Sequence, residues 1–285
     1  MVVNLRPGRP EDAHDCGVIC YEAFKAIAEH HRFAPDFPSA DTAIGLMSWL
    51  LSSHDIFSVV AEFNGRVVGS NFLWEKSSIA GVGPITVDAN AQNSKVGRAL
   101  MERVLERSQE QRFSGVRLLQ AAYHNRSLSL YTKLGFEARE PISVIQGSAL
   151  SLRMLDYPVR AANESDLDAC NRICFSVHGH HRKQELMDAV GQGTATVVEY
   201  GGQITGYATA IGFFGHAVAQ SNDALKALIG AAAAFSGPGF LLPTRNGELL
   251  RWCLGQGLIV IQPMTLMSVG LYNEPAGSFL PSILF

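Results

Sequence analysis

A chain of 285 residues that is 47% hydrophobic and 17% charged can bury one large core or two smaller ones, and it is too apolar for long disorder. Its net charge of −3 lacks the basic excess that general nucleic-acid binding needs. No apolar run reaches the roughly 18–20 residues of a membrane span, and the opening MVVNLRPGRPED has no secretory pattern, so a soluble, cytoplasmic chain is expected.

In chain order, the patterns predict a strand at 3–6, helices at 11–29 and 40–52, and strands at 57–63, 66–76 and 80–88. A helix at 95–111, a strand at 115–121, a helix at 126–134 and a final strand pair follow. That is an α/β fold with a mixed sheet and helices on both faces. Cys16/Cys20 and Cys170/Cys174 are each four residues apart on one helical face. With no regularly spaced further ligands they read as small buried apolar residues, and no metal site is expected.

Those cysteine pairs expose a repeat. LRPGRPEDAHDCGVICYEAF from Leu5 aligns without a gap on VRAANESDLDACNRICFSVH from Val159, matching Arg6/Arg160, Asp12/Asp166, Cys16/Cys170, Ile19/Ile173 and Cys20/Cys174. Further on, AEFNGRVVGSNF from Ala61 parallels VEYGGQITGYAT from Val198, setting Glu62, Gly65 and Gly69 on Glu199, Gly202 and Gly206. Each is a hairpin with a tight Asn-Gly or Gly-Gly turn. Two matched blocks in one order imply two copies of one fold, with domains at 1–152 and 157–285.

The strand GVGPITVDAN runs into AQNSKVGRALM, a strand–loop–helix unit whose main-chain N–H groups suit an anion. Gly97 permits close approach, Lys95 and Arg98 add positive charge, and Gln92, Asn93 and Ser94 offer hydrogen bonds. Neither GxxxxGK nor GxGxxG occurs there, which counts against nucleotide-triphosphate and dinucleotide chemistry. On its own such a loop reads more often as a solvated helix cap.

Here the chain resembles the GCN5-related N-acetyltransferase family. That family's pyrophosphate signature is Gln or Arg, any two residues, Gly, any one residue, then Gly or Ala. It stands as Gln92-Asn93-Ser94-Lys95-Val96-Gly97, with Lys95 replacing the first glycine. A lysine N–H serves there if its φ is negative. NRSLSLYTKLGFEA from Asn125 resembles the family's later motif, with Asn125 as a helix cap, Tyr131, Lys133, Leu134, Gly135 and Phe136 matching, and Gly135 as left-handed terminator.

The resemblance implies an acetyl-CoA-dependent N-acetyltransferase that moves an acetyl group to a primary amine of a small molecule or peptide, by direct attack in a ternary complex. Acetyl-CoA is the co-substrate. Its pantetheine would run along Ile85-Thr86-Val87, with an N–H near Val87 for the oxyanion. Its pyrophosphate would sit on Gln92 to Ala99, among Gln92, Asn93, Ser94, Lys95, Val96, Gly97, Arg98 and Ala99, with Asn125 nearby. Tyr131 would donate to the departing sulfur. Glu75, His30, His31 and His124 are candidate bases, and the sequence singles out none.

The second copy lacks this equipment. Ser221-Asn222-Asp223 reads as an ordinary helix cap, and Trp252 or Cys253 stands where the tyrosine would be. The expectation is a degenerate GNAT-like domain that supports the first, with Phe213, Phe214 and His216 walling the acceptor site, or with the two Phe packing in the core instead. The ending SFLPSILF reads as a strand or tail buried against a sheet. A non-catalytic acyl-CoA sensor is the alternative function, and a monomer or homodimer is expected, with no nucleic-acid or membrane partner.

Overall fold

The computed structural model describes residues 3–284. The chain divides into two compact units, the first running to Leu118 and including Tyr123–Glu137, the second made of Leu119–Ala122 and everything from Ala138 onward.

In the first unit β1 (Asn4–Pro7) leads through a 3-10 turn at Pro10–Asp12 into α1 (Ala13–His30) and α2 (Ala40–Ser52). Next come β2 (Ile56–Phe63), β3 (Arg66–Trp74), β4 (Ile79–Val82), β5 (Thr86–Val87), α3 (Val96–Glu110), β6 (Gly115–Ala121) and α4 (Asn125–Lys133). β1, β2, β3 and β4 pair antiparallel in that order, and β4 pairs parallel with the start of β6. β3 is buried residue after residue from Val68 to Trp74, as a strand covered on both faces must be. α3 seats Val96, Leu100, Met101 and Val104 on β2 and β3, and its charged face meets water.

The predicted strand at 80–88 is instead the two short strands β4 and β5. Pro84 between them has no N–H for a ladder, and Gly83 before it takes a φ of 132°.

The second unit contains β7 (Glu137–Gln146) from Ala138 onward, then β8 (Val159–Ala161), α5 (Leu167–His178), α6 (Lys183–Gly191), β9 (Thr196–Tyr200) and β10 (Gln203–Ala208). β11 (Ala217–Ala219), α7 (Asn222–Ala231), β12 (Phe240–Pro243), α8 (Gly247–Gly255), β13 (Ile259–Gly270) and β14 (Ser278–Leu280) complete it. One sheet in this unit runs β14-β11-β10-β9-β8, and a second places β13 beside β7 and β7 beside β12. The expected final strand pair of the first half is therefore a single strand, β7. Its ladder partners come from far along the chain, and no strand forms between Gln146 and β8.

The matched residues of the repeat build the same cluster twice. Arg6 holds Asp12 at 2.7 Å and Glu62 at 2.7 Å; Arg160 holds Asp166 at 2.7 Å and Glu199 at 2.8 Å. In each, the aspartate also accepts the main-chain N–H three residues back, from Arg9 at 2.8 Å and Asn163 at 2.9 Å. Hydrogen bonds from the paired arginine hold both aspartates below the usual carboxylate range. Cys16, Cys20, Cys170 and Cys174 are fully buried in the helix faces behind these clusters, as their spacing implies.

Candidate functional site

The loop before α3 is held from within. Asp88 accepts the Asn90 N–H at 2.7 Å, and the Ser94 hydroxyl donates to the Ala91 carbonyl. Asn93 and Lys95 both take a φ of 66°. Lys95 therefore does not meet the negative-φ condition: it adopts the left-handed conformation that a glycine adopts freely. Each such residue costs about 1 kcal/mol for an ordinary side chain.

No side chain caps α3, whose first intrahelical bond runs from the Ala99 N–H to the Lys95 carbonyl at 3.0 Å. The N–H groups of Val96, Gly97 and Arg98 precede that bond, so they carry the positive end of the helix unspent. Exposed Lys95 adds charge there, and Arg98 is turned along the helix to Glu102 at 3.0 Å.

Arg126, in the first turn of α4, reaches across to this loop. It donates to Gln92 Oε1 at 2.8 Å and to Asn93 Oδ1 at 2.9 Å. Sequence reasoning passed over this residue, because nothing in one-dimensional spacing links position 126 to positions 92 and 93. The two motifs read separately in the sequence are thus tied by one guanidinium.

Gly97 is where three elements converge. A Cβ there would lie 3.6 Å from the Leu130 side chain on α4 and 3.7 Å from Val87 on β5, both ordinary contacts. The chain's own packing thus does not require glycine at this position. There is room for a single methyl there, between Leu130 and Val87, beside the N–H groups at the α3 start.

β5 supplies a free edge. Gly69 faces Val87 and Ser70 faces Thr86 in its ladder with β3, while the β4–β6 ladder ends at Gly81 and Arg117. Among the described residues β5 has a ladder on one side alone. Thr86 is buried with its hydroxyl 3.4 Å from Ser70, and Ile85 and Val87 are half-buried.

Tyr131 is buried in α4, one residue past Leu130, and packs on Phe136 with ring centres 6.1 Å apart. Burial pushes its hydroxyl up to about 12, against a smaller opposing pull from the Ser127 hydroxyl one turn earlier. Gly135 ends the helix with a φ of 91°, and the Phe136 N–H returns to the Tyr131 carbonyl at 3.0 Å. The cap of α4 is His124 rather than Asn125: its Nδ1 accepts the Ser127 N–H at 3.0 Å. Burial lowers the His124 pKa, which keeps the ring in the neutral form that can accept. Asn125 is the first helical residue and is exposed.

Of the candidate bases, Glu75 is held by Arg107 through two bonds of 2.7 and 2.9 Å. His31 packs on His30 and on Tyr123, and Phe33 stacks on Tyr123 with ring centres 4.4 Å apart. The Tyr123 hydroxyl is buried without a hydrogen-bond partner among the described residues.

In the second unit the helix α7 starts differently. Ser221 caps α7 by accepting the Ala224 N–H at 3.3 Å. Lys226 pairs with Asp223 at 2.9 Å and Glu248 at 2.7 Å. His216 is buried within this unit, its Nε2 3.0 Å from the Tyr207 hydroxyl, and its Nδ1 3.5 Å from Glu185. It is a core residue of this unit.

Residues 22–136 match a family model described as the acetyltransferase (GNAT) family. None of the curated proteins matches the chain by sequence. Among solved structures, the chain is similar to a candidate acetyltransferase of Pyrococcus horikoshii, over 99% of this chain and 94% of that one, with a TM-score of 0.76 and 16% identity. A GCN5-related N-acetyltransferase of Sphaerobacter thermophilus matches over 95% of this chain and 96% of its own, at a TM-score of 0.62 and 15% identity. An N-acetyltransferase of Thermoplasma acidophilum, solved in complex with coenzyme A, covers 49% of this chain and 92% of that one, with a TM-score of 0.44 and 16% identity. The first two likenesses establish a shared fold.

Proposed function

We propose, from the premise that the chain is an N-acetyltransferase with a GNAT region at residues 22–136, that this region takes acetyl-CoA on the α3 start and the β5 edge. The acetyl group passes to a primary amine of a small molecule or peptide. The observation that carries this reading is the uncapped start of α3, with side-chain-free Gly97 between Val87 and Leu130.

The residues fit the coenzyme part by part. Three unspent N–H groups and the charges of Lys95 and Arg126 face a diphosphate. The outer edge of Ile85-Thr86-Val87 offers main-chain donors and acceptors to an amide-bearing pantetheine arm. With the acceptor held in the same complex, its nitrogen attacks the thioester carbon and forms the new C–N bond. The Val87 N–H stabilises the oxyanion that develops. The C–S bond then breaks, and Tyr131 donates a hydrogen bond to the departing sulfur.

Full proton transfer from Tyr131 is unfavourable. With its hydroxyl at about 12 and a free thiol near 8.5, transfer is uphill by about 5 kcal/mol. Tyr131 therefore works as a hydrogen-bond donor that steadies a thiolate. The amine enters beside residues 30–40, near the buried Tyr123 hydroxyl, which has no hydrogen-bond partner among the described residues.

The second half is a degenerate copy of the first, with the sequence domains at 1–152 and 157–285. The twin arginine–aspartate–glutamate clusters support this reading. We place the enzyme in the cytoplasm, as a monomer or homodimer. Thiol release measured across a panel of amines tests the activity. Tight acetyl-CoA binding with no release for any acceptor would make the chain a sensor instead.

A further inference from the structure

The two copies can be compared residue by residue at the strand edge. In the first, Gly69 faces Val87 and Ser70 faces Thr86; in the second, Gly206 faces Ala219 and Tyr207 faces Val218. Gly69 and Gly206 are matched positions of the repeat, so Ala217-Val218-Ala219 stands where Ile85-Thr86-Val87 stands. The outer edge of the first trio carries no ladder among the described residues. The outer edge of the second carries β14, with Ala217, Val218 and Ala219 facing Leu280, Phe279 and Ser278.

We infer that β14 fills the second copy's counterpart of the coenzyme groove, so that the chain binds one acyl-CoA molecule and not two. This rests on the coenzyme reading of the first copy. β14 takes up the main-chain groups that a pantetheine arm would use, and Phe279 and Leu280 are buried there. The strand is also fastened at both ends. Ser278 Oγ donates to Asn222 Oδ1 at 2.8 Å, while Arg182 donates to Ser282 Oγ at 3.2 Å and the Ile283 N–H to the Phe213 carbonyl at 2.8 Å. Before it, Gly277 sits so close that a Cβ would meet Val177 at 2.6 Å.

The helix start at the phosphate end is engaged as well. Asn222, first residue of α7, exchanges amide hydrogen bonds with Asn246, the cap of α8, at 2.7 and 3.2 Å. Asp223 and Glu248 flank that pair and oppose a diphosphate, and Lys226 is engaged by both.

Calorimetric titration of the intact chain with acetyl-CoA, paired with hydrogen exchange, tests this. The expected result is one equivalent bound, slower exchange at 96–98, and unchanged exchange at 278–280. Two equivalents, or faster exchange at 278–280 on saturation, would overturn the inference while leaving the first site intact. A Gly97→Val chain that still binds one equivalent with undiminished affinity would also overturn it. No binding at all would remove the coenzyme reading and this inference together.

Discussion

The helices α3, which follows β5, and α7, which follows β11, end up with opposite ledgers of hydrogen bonds. α7 is self-sufficient: Ser221 caps it, and Asp223 lies in its first turn where an acid favours the helix. α3 has no cap, two left-handed side-chain-bearing residues before it, and no acid in its first turn. The difference teaches that an unsatisfied helix start is maintained at a cost in stability. At α7 the chain supplies the missing partners itself.

The largest effect expected is at Gly97. Gly97→Val should raise the acetyl-CoA Kd about thirtyfold, near 2 kcal/mol, by covering the open N–H groups. Fluorescence or calorimetric titration reads this, and Asp223→Val in the other copy should leave Kd unchanged. Next, Tyr131→Phe should lower kcat at least about tenfold with little change in Kd. Its hydroxyl stays protonated to about pH 12, so no loss of rate below about pH 11 should trace to its ionisation. Arg126→Ala should weaken acetyl-CoA about fivefold and reduce the salt dependence of Kd, since it removes one cation and frees Gln92 and Asn93.

Two stability changes of opposite sign sharpen the contrast between the helix starts. Lys95→Gly should stabilise the chain by about 1 kcal/mol by relieving the left-handed residue. Ser221→Ala should destabilise it by about 1 kcal/mol through loss of the cap. Thermal melts check both.

The smallest effect separates the twin ion clusters. The Arg6 side chain is 16% exposed and Arg160 is 42% exposed. Screening therefore makes Arg6→Ala the costlier change, by about 0.5 kcal/mol. Asp12 and Asp166 are held below their unfolded values, so each stabilises the fold fully above about pH 4. That contribution is lost as pH falls through the depressed folded values. Acid unfolding of Asp12→Asn and Asp166→Asn should start from lower stability and show a shallower decline.

Local pattern made much of this legible. Helical spacing gave α1, α2, α3 and α4 to within about two residues, and the Asn64-Gly65 and Gly201-Gly202 turns gave both hairpins. The arginine clusters were visible as matched letters, because residues near in sequence or in a hairpin meet again in space. Long-range pairing was not legible. Nothing in β7 announces that β12 will pair with it across about a hundred residues, and Arg126 carries no mark of its bonds to Gln92 and Asn93. Pro84 did carry a mark, since a missing N–H interrupts a ladder. The positive φ of Lys95 could not be read from its identity, because lysine ordinarily avoids that region.

The sulfur inventory has a practical consequence. All five cysteines are buried, and burial raises their thiols, to about 11 for Cys16 and about 12 for Cys170 and Cys253. Such groups hold almost no thiolate at neutral pH and stay silent toward sulfhydryl dyes while the fold is intact. Colour developed during turnover therefore belongs wholly to liberated coenzyme, and colour in its absence marks the moment the polypeptide opens.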